Sequence, residues 1–216
     1  MIHQRNKDLL FRLTKYVTSI LRPYHTIKYS NQKNLALHLG SSHNIIDGFI
    51  NIDGNPLRKK TMYYDIRNKL PFKNNSVLYV FVSNVFEHFF PDEIELILKD
   101  IYRCLNRSGM MRIVVPDLEK AINAYNNKDF NFFHDFPRSY KSLGGRFSNA
   151  MFCDAQHRLA YDFSYLSELL DLAGFDSKNI KRMDFDKSDL PIEIYEKIKP
   201  FEHFFAKTDL FVEVQK

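Results

Sequence analysis

The sequence predicts an α/β fold in which a mostly parallel sheet carries helices on both faces. The stretch from Asn34 to Gly54 has the pattern of a buried strand, a glycine-marked turn and a second strand that ends on the acid Asp53. Further apolar strand patterns follow in alternation with helical ones, which is typical of such sheets. At 216 residues the chain is long enough for one domain with a sizeable core.

The composition indicates a globular protein, with 44% hydrophobic and 26% charged residues. The two cysteines, Cys104 and Cys153, have neither metal-ligand spacing nor the pattern of a disulfide framework, so we expect a reducing compartment. No apolar run is long enough to span a bilayer, and the N-terminus lacks the apolar core of a signal peptide. We therefore expect a cytoplasmic protein.

Positive charge is concentrated at the N-terminus. Residues 1–33 hold seven lysines and arginines against one aspartate, which is a net charge of +6, so the rest of the chain carries −1 of the total of +5. A near-neutral fold weighs against a nucleic-acid groove, and no nucleic-acid partner is expected. We expect a basic helical arm over residues 1–33 and a single domain over residues 34–216.

Residues 8–22 predict an amphipathic helix, which Pro23 is expected to end at about Arg22. Either its apolar stripe packs on the domain, or the basic helix contacts a membrane surface or a partner. The second alternative would bring the protein to the inner face of a membrane. The stripe consists of Leu9, Leu10, Leu13, Tyr16, Val17, Ile20 and Leu21.

The first predicted strand, Leu35 to Leu39, is apolar except for His38, which we interpret as a core histidine. It leads into the turn of residues 40–42, where the backbone can approach a ligand closely. Asp53 ends the second strand and is placed to accept hydrogen bonds from the hydroxyls of a ribose. A turn aspartate before Gly54 is the alternative.

Ligands in open α/β sheets bind beyond the carboxyl ends of the strands. Residues 84–88 follow the fourth predicted strand, Val77 to Ser83, so Glu87 and His88 are candidates for the site. Alternatively, both cap and orient the next helix, which Pro91 begins. Asp117, after the fifth predicted strand, either contacts a substrate or is the N-cap of the following helix. Residues 106–109 are predicted as a turn.

The ordered set of Gly40, Asp53, Asp65-Ile66, Glu87-His88 and His157-Arg158 resembles the class I S-adenosylmethionine-dependent methyltransferases. The chain is most similar to a type-11-like group of small methyltransferases associated with surface sugars, from Asn34 to the C-terminus. The resemblance implies a Rossmann-like, seven-stranded sheet with an antiparallel edge strand. It also implies S-adenosylmethionine as cofactor, S-adenosylhomocysteine as product, and O-methylation of a sugar or glycan intermediate in polysaccharide biosynthesis.

The resemblance further implies a set of cofactor-binding residues, in which the Asp65 carboxylate accepts from the adenine amino group. A solvated loop acid is the alternative for Asp65. The sequence departs from the family at Ser42, where glycine is usual, and at residues 106–109, which keep one glycine. These departures leave open a methyltransferase-like protein that lost turnover and binds or regulates a partner. The implied cofactor residues are Leu39, Gly40, Ser41, Ser42, Asp53, Asp65, Ile66, Asn84 and His88.

Residues 126–153 form a long aromatic segment, which we interpret as an insertion that covers the acceptor. A sugar hydroxyl is a poor nucleophile, so a base is expected, with His157 as the first candidate and His88 as the second. Another small-molecule acceptor stays an alternative. No ordered pair of acids is evident, so no metal is predicted. The candidate substrate residues are Glu87, Asp117, His157, Arg158 and Tyr161.

Overall fold

The computed structural model describes residues 4–216, with the side chains of the first helix described at Phe11 and from Leu13 onward. A single sheet has seven strands in the order β3-β2-β1-β4-β5-β7-β6. Neighbours from β3 to β5 are parallel, and β7 is antiparallel to both β5 and β6. This arrangement confirms the predicted fold class. The strands are β1 Leu35–Leu39, β2 Ile50–Asp53, β3 Met62–Tyr63, β4 Val77–Ser83, β5 Leu105–Pro116, β6 Ile180–Met183 and β7 Asp209–Gln215.

Helices cover both faces of the sheet. One face packs on α2 and α5 and receives Tyr29 from the end of α1. The other face packs on α6, through Tyr195 and Ile198 against Phe81 and Phe211. The helices are α1 Gln4–Tyr29, α2 Pro91–Cys104, α3 Leu118–Asn126, α4 Leu143–Phe152, α5 Phe163–Ala173 and α6 Ile192–Glu202.

The predicted end of the first helix at Arg22 is wrong, because α1 continues through Pro23 to Tyr29. Proline removes one backbone hydrogen bond from a helix and normally bends or ends it. Here the residues beyond Pro23 are held by tertiary contacts, since the His25 ring meets Tyr64 edge-on and Tyr29 packs on Phe72. Packing therefore outweighs the local preference of proline.

Most of the described side chains of the apolar stripe of α1 face away from the domain. Among the described residues of α1, the buried side chains are Thr14, Thr18, His25 and Tyr29. The Thr18 hydroxyl accepts from the backbone N–H of Asp65 at 3.3 Å, so α1 lies on a polar loop and its polar side is turned inward. Within the described chain, no helix combines the length and apolarity needed to cross a bilayer. The side chains of Leu9 and Leu10 lie outside the described residues, Leu21 is half-buried, and Leu13, Tyr16, Val17 and Ile20 are exposed.

Residues 106–109 do not form a turn between a helix and a strand, because β5 begins at Leu105, directly after α2. The register with β4 passes from Val77 opposite Leu105 to Tyr79 opposite Met110. The extra residues form a bulge in the strand. The departure from the family pattern at this position is therefore absorbed within the sheet.

The aromatic segment of residues 126–153 is partly helical and contains α4. Phe132, Phe133 and Met151 form a small core with Ala121 and Ala124 of α3. Four other phenylalanine and tyrosine rings of the segment remain exposed: Phe130, Phe136, Tyr140 and Phe152.

Candidate active site

The turn after β1 lies against the residues that follow β4. Gly40 has a φ of +67°, and a Cβ at this position would overlap the Val85 side chain. Only glycine allows both the left-handed backbone and the close approach. Ser42 also has a positive φ, +48°, so the serine that replaces the usual glycine adopts a disfavoured conformation.

Asp53 holds this turn in place. Its carboxylate accepts from the backbone N–H groups of Ser42 at 2.8 Å and Asn55 at 2.7 Å. A carboxylate has about four acceptor positions, so capacity remains for the two hydroxyls of a ribose. The buried Ser41 hydroxyl has no hydrogen-bond partner among the described residues. The turn therefore fits the nucleoside end of a cofactor.

A contact with adenine would require an accessible Asp65 carboxylate, but this carboxylate is buried and paired. The Asp65 side chain is 6% exposed and forms an ion pair with Arg67 at 2.6 Å. The next residue, Ile66, is buried, and α1 covers the loop through Thr18. Leu39 is buried in the core below the turn. The structure thus groups Gly40, Ser41, Ser42 and Asp53, and leaves Asp65 engaged in an internal ion pair.

Asn84 has a φ of +53°, and its Nδ2 donates to the Asp209 carboxylate at 2.8 Å. Burial raises the pKa of Asp209 to about 6. Asp209 is not among the site residues predicted from the sequence, although it begins an antiparallel strand. The start of an antiparallel strand lies opposite the carboxyl end of its neighbour, here Pro116 of β5, and therefore at the edge of the sheet where ligands bind.

Glu87, His88 and His157, which we call the edge cluster, meet beyond the end of β4. The Nε2 atoms of His88 and His157 each lie 3.9 Å from Oε1 of Glu87. Glu87 is 1% exposed, and neither carboxylate oxygen has a hydrogen-bond partner among the described residues. The structure thus brings both predicted histidines to one buried acid.

Backbone contacts set the orientation of the two imidazoles. His157 Nδ1 lies 3.0 Å from the carbonyl oxygen of Met151, and His88 Nδ1 lies 3.2 Å from that of Gln156. A carbonyl oxygen can only accept, so in each ring Nδ1 carries the hydrogen. In the neutral rings Nε2 then carries the lone pair, on the side of Glu87.

The environment of the edge cluster favours uncharged groups. Burial raises the pKa of Glu87 to about 8. The pKa of His157 is lowered to about 4, mainly by burial and to a smaller extent by the nearby His88. At pH 7 the free protein therefore holds a largely protonated Glu87 beside a neutral His157.

The segment that carries His157 is fastened to the residues after β4. The backbone N–H groups of Arg158 and Leu159 donate to the Glu87 carbonyl at 2.6 and 3.2 Å. The Tyr161 hydroxyl donates to the carbonyl of Phe86 at 3.2 Å. Tyr161 is fully buried and acts as a support, since its hydroxyl is already used.

Two other candidates have internal partners. Asp117 accepts from the Lys120 N–H at 3.2 Å as the N-cap of α3, and pairs with Arg182 at 2.9 Å. Of the two roles predicted for Asp117, these contacts correspond to the N-cap of the helix. The Arg158 guanidinium lies over the Phe90 ring at 5.1 Å. Of the predicted substrate residues, Glu87 and His157 share the site most directly.

A family model described as a methyltransferase domain matches residues 52–113, from the end of β2 into β5. Comparison with curated proteins gives no match. The fold is similar to a SAM-dependent methyltransferase from Archaeoglobus fulgidus, at 16% identity and TM-score 0.54 over 94% of both chains.

A second solved structure, from Haloferax volcanii, is a complex of the Trm112 methyltransferase activator with a chain proposed to be a methyltransferase. The similarity has a TM-score of 0.51 at 14% identity and covers 96% of this chain and 94% of that one. At such identities the likeness shows the fold. The matched domain supports a methyltransferase, and the fold is one that a SAM-dependent methyltransferase also has.

Proposed function

We propose that this methyltransferase acts on a hydroxyl group of a sugar or glycan intermediate in polysaccharide biosynthesis. The observation that carries the proposal is the edge cluster, which provides two lone pairs beside the turn that fits the cofactor. When bound, S-adenosylmethionine supplies a methyl group on a positively charged sulfur. The residues of the chain have to orient the acceptor and accept the proton of its hydroxyl group.

With the cofactor bound, the acceptor oxygen would gain the methyl group that the sulfur loses, so the hydroxyl proton would have to leave. His157 is the candidate base, because its Nε2 lone pair is available at neutral pH. A positioned base contributes about 10²–10⁴-fold. The proton would pass from Nε2 to solvent, and the products are a methyl ether and S-adenosylhomocysteine.

The aromatic segment supports a sugar as acceptor. The exposed rings of Phe130, Phe136 and Tyr140 offer apolar faces of the kind that pack on sugar C–H groups. The same segment reaches the edge cluster, because Met151 in α4 provides the carbonyl that orients His157. Acceptor binding to these rings would thus be coupled to the position of His157.

Calorimetric titration of S-adenosylmethionine and S-adenosylhomocysteine tests the cofactor site. We expect micromolar binding to the wild type and at least tenfold weaker binding to Asp53→Asn, which retains the shape but loses one acceptor. Asp47→Asn is a matched control, because Asp47 is an exposed acid of a neighbouring loop. Equal binding by all three proteins would remove Asp53 from the site. No binding by the wild type would favour the alternative of a protein that lost turnover.

Transfer of a labelled methyl group to a panel of free and nucleotide-linked sugars tests the acceptor class. We expect transfer that His157→Gln lowers by at least 100-fold in turnover while cofactor binding is retained. Transfer to amine or carboxylate acceptors, with none to sugars, would overturn the proposed acceptor.

We also propose that α1 contacts an anionic membrane surface. Leu13, Val17, Ile20, Tyr24 and Ile27 recur at helical spacing and are all exposed, on an arm whose net charge is positive. Flotation with vesicles that contain anionic lipid should be lost in Leu13→Ser/Ile20→Ser. It should be retained in Leu172→Ser, an exposed leucine of α5. Equal flotation of both variants, or none for the wild type, would contradict a membrane contact.

A further inference from the structure

We propose that the edge cluster is a site for a divalent transition-metal ion, with Glu87, His88 and His157 as its ligands. The proposal deepens the proposed function, on which it rests, because the ion would lie where the acceptor hydroxyl binds. The expectation of no metal depended on the lack of paired acids in the sequence. Here the fold completes the ligand set with two histidines.

The first argument is the state of Glu87. Its side chain is 99% buried, and neither oxygen has a hydrogen-bond partner among the described residues. Buried polar groups are nearly always hydrogen-bonded, because an unpaired one loses its interactions with water and gains none. A buried carboxyl group in this state, beside two imidazole lone pairs, is explained by a site at which a cation takes the place of its proton and binds all three groups.

The second argument is the orientation of the histidines. Each donates its Nδ1 hydrogen to a backbone carbonyl, from Gln156 for His88 and from Met151 for His157. Metal-binding histidines commonly donate their other ring hydrogen in this way, which holds the ring and makes the ligand nitrogen more basic. Both Nε2 atoms are thus prepared to bind an ion on the side of Glu87.

The third argument is distance and access. The three ligand atoms lie within 4.8 Å of one another, with 3.9 Å from Glu87 Oε1 to each Nε2. Ligands at about 2.0–2.2 Å from a tetrahedral ion lie roughly 3.3–3.6 Å apart, so small side-chain movements suffice. The His88 side chain is 40% exposed, which leaves a route for the ion and open positions for further ligands.

Ligand chemistry restricts the choice of ion. Two imidazoles and one carboxylate suit Zn²⁺, Mn²⁺, Co²⁺ or Fe²⁺ better than Ca²⁺ or Mg²⁺, which prefer all-oxygen sites. An acceptor hydroxyl could take an open position, where the ion would lower the pKa of the hydroxyl and allow its proton to pass to solvent. His157 would then act as a ligand, and direct proton abstraction by its Nε2 would not occur.

Titration with metal salts alone tests the site. The full chain is stripped with a chelator and titrated with MnCl₂, with free Mn²⁺ followed by electron paramagnetic resonance, and with CoCl₂, followed by its visible spectrum. We expect one equivalent of each ion to bind, with a Co²⁺ spectrum typical of nitrogen and oxygen ligands. Mn²⁺ affinity should fall 10–100-fold or more in Glu87→Gln and in His157→Gln.

His203→Gln is the matched control, because His203 is an exposed histidine away from the cluster, and its Mn²⁺ affinity should equal that of the wild type. Circular dichroism shows whether each variant is folded, and a metal-dependent rise in melting temperature that Glu87→Gln loses is a second readout. Stoichiometric binding that all three variants retain, or no binding to the wild type, would overturn the proposal.

Cofactor titration into the stripped protein separates this result from the proposed function. S-adenosylmethionine binding without metal binding would leave the methyltransferase proposal intact and end the metal site. Metal binding without cofactor binding would preserve the site and contradict the proposed function.

Discussion

The edge cluster and the buried cluster of Arg112, Glu202 and Glu213 both remove carboxylates from water, but they differ in hydrogen bonding. The Arg112 guanidinium binds Glu202 at 2.7 and 2.9 Å and Glu213 at 2.7 Å, and both carboxylates are almost fully buried. Glu87 in the edge cluster has no such partner among the described residues. The arginine keeps both of its carboxylates charged inside the fold, whereas the Glu87 carboxyl group lacks such bonding and is held largely protonated.

The arginine cluster also shows how such bonding joins distant elements. Arg112 comes from β5, Glu202 from the end of α6 and Glu213 from β7. Two further groups complete the shell of Glu213, because the Ser188 hydroxyl and the Asp189 N–H both donate to its carboxylate. Removal of the central charge would leave two acids buried without their counter-ion.

Arg112→Met should therefore have the largest effect on stability. Loss of one partner of a buried ion pair costs about 3–5 kcal/mol in free energy of unfolding. Urea denaturation at pH 7 measures it. Arg138→Met is the control, because Arg138 pairs with Asp154 at the surface and its loss should not be measurable. Similar midpoints for the two variants would remove the stabilising role of the arginine cluster.

Glu87→Gln, in contrast to Arg112→Met, should raise the free energy of unfolding of the metal-free protein at neutral pH. Burial raises the pKa of Glu87 from 4.5 to about 8, so unfolding releases its proton at neutral pH. The contribution of Glu87 to stability is complete below pH 4.5 and is lost as the pH rises toward 8. Between pH 5 and 7 the wild type should lose roughly 2–3 kcal/mol more than Glu87→Gln. Urea titrations with chelator present measure this, and parallel pH profiles would contradict the shifted pKa.

His38 offers an intermediate case, since it is buried and its Nδ1 donates to Asn51 Oδ1 at 3.1 Å. Burial lowers the pKa of His38 from 6.5 to about 4, so the unfolded chain takes up a proton first as the pH falls. Its contribution is present above pH 6.5 and is lost toward pH 4. The fall in stability from pH 7 to 5 should be roughly 2 kcal/mol smaller in His38→Gln. An unchanged fall would assign the acid sensitivity to other groups.

Ser42→Gly should give the smallest effect. A non-glycine residue at positive φ costs about 1–2 kcal/mol, part of which the greater freedom of glycine in the unfolded chain offsets. We expect a gain of about 1 kcal/mol or less in unfolding free energy and cofactor affinity at least equal to that of the wild type. Weaker cofactor binding would instead assign a direct contact to the Ser42 hydroxyl.

The sequence by itself determined the order of the elements and the position of the turn of residues 40–42. Apolar runs of strand length, Gly40 and the acid Asp53 are local signals, because each depends on backbone geometry within a few residues. The family resemblance added the seven-stranded sheet and its antiparallel strand. It also pointed to Glu87, His88 and His157 individually, but not to their assembly as one cluster.

Only the tertiary structure decided which side of α1 faces inward and which buried acids have partners. The apolar stripe predicted the helix, but the described part of α1 lies on the polar loop around Asp65 through Thr18 and leaves Leu13, Tyr16, Val17 and Ile20 exposed. Arg112 and Glu202 are far apart in the chain, as are Glu87 and His157. Contacts between distant residues depend on how strands and helices pack. The periodicity of a sequence predicts single elements and their faces, but not which elements pack against each other.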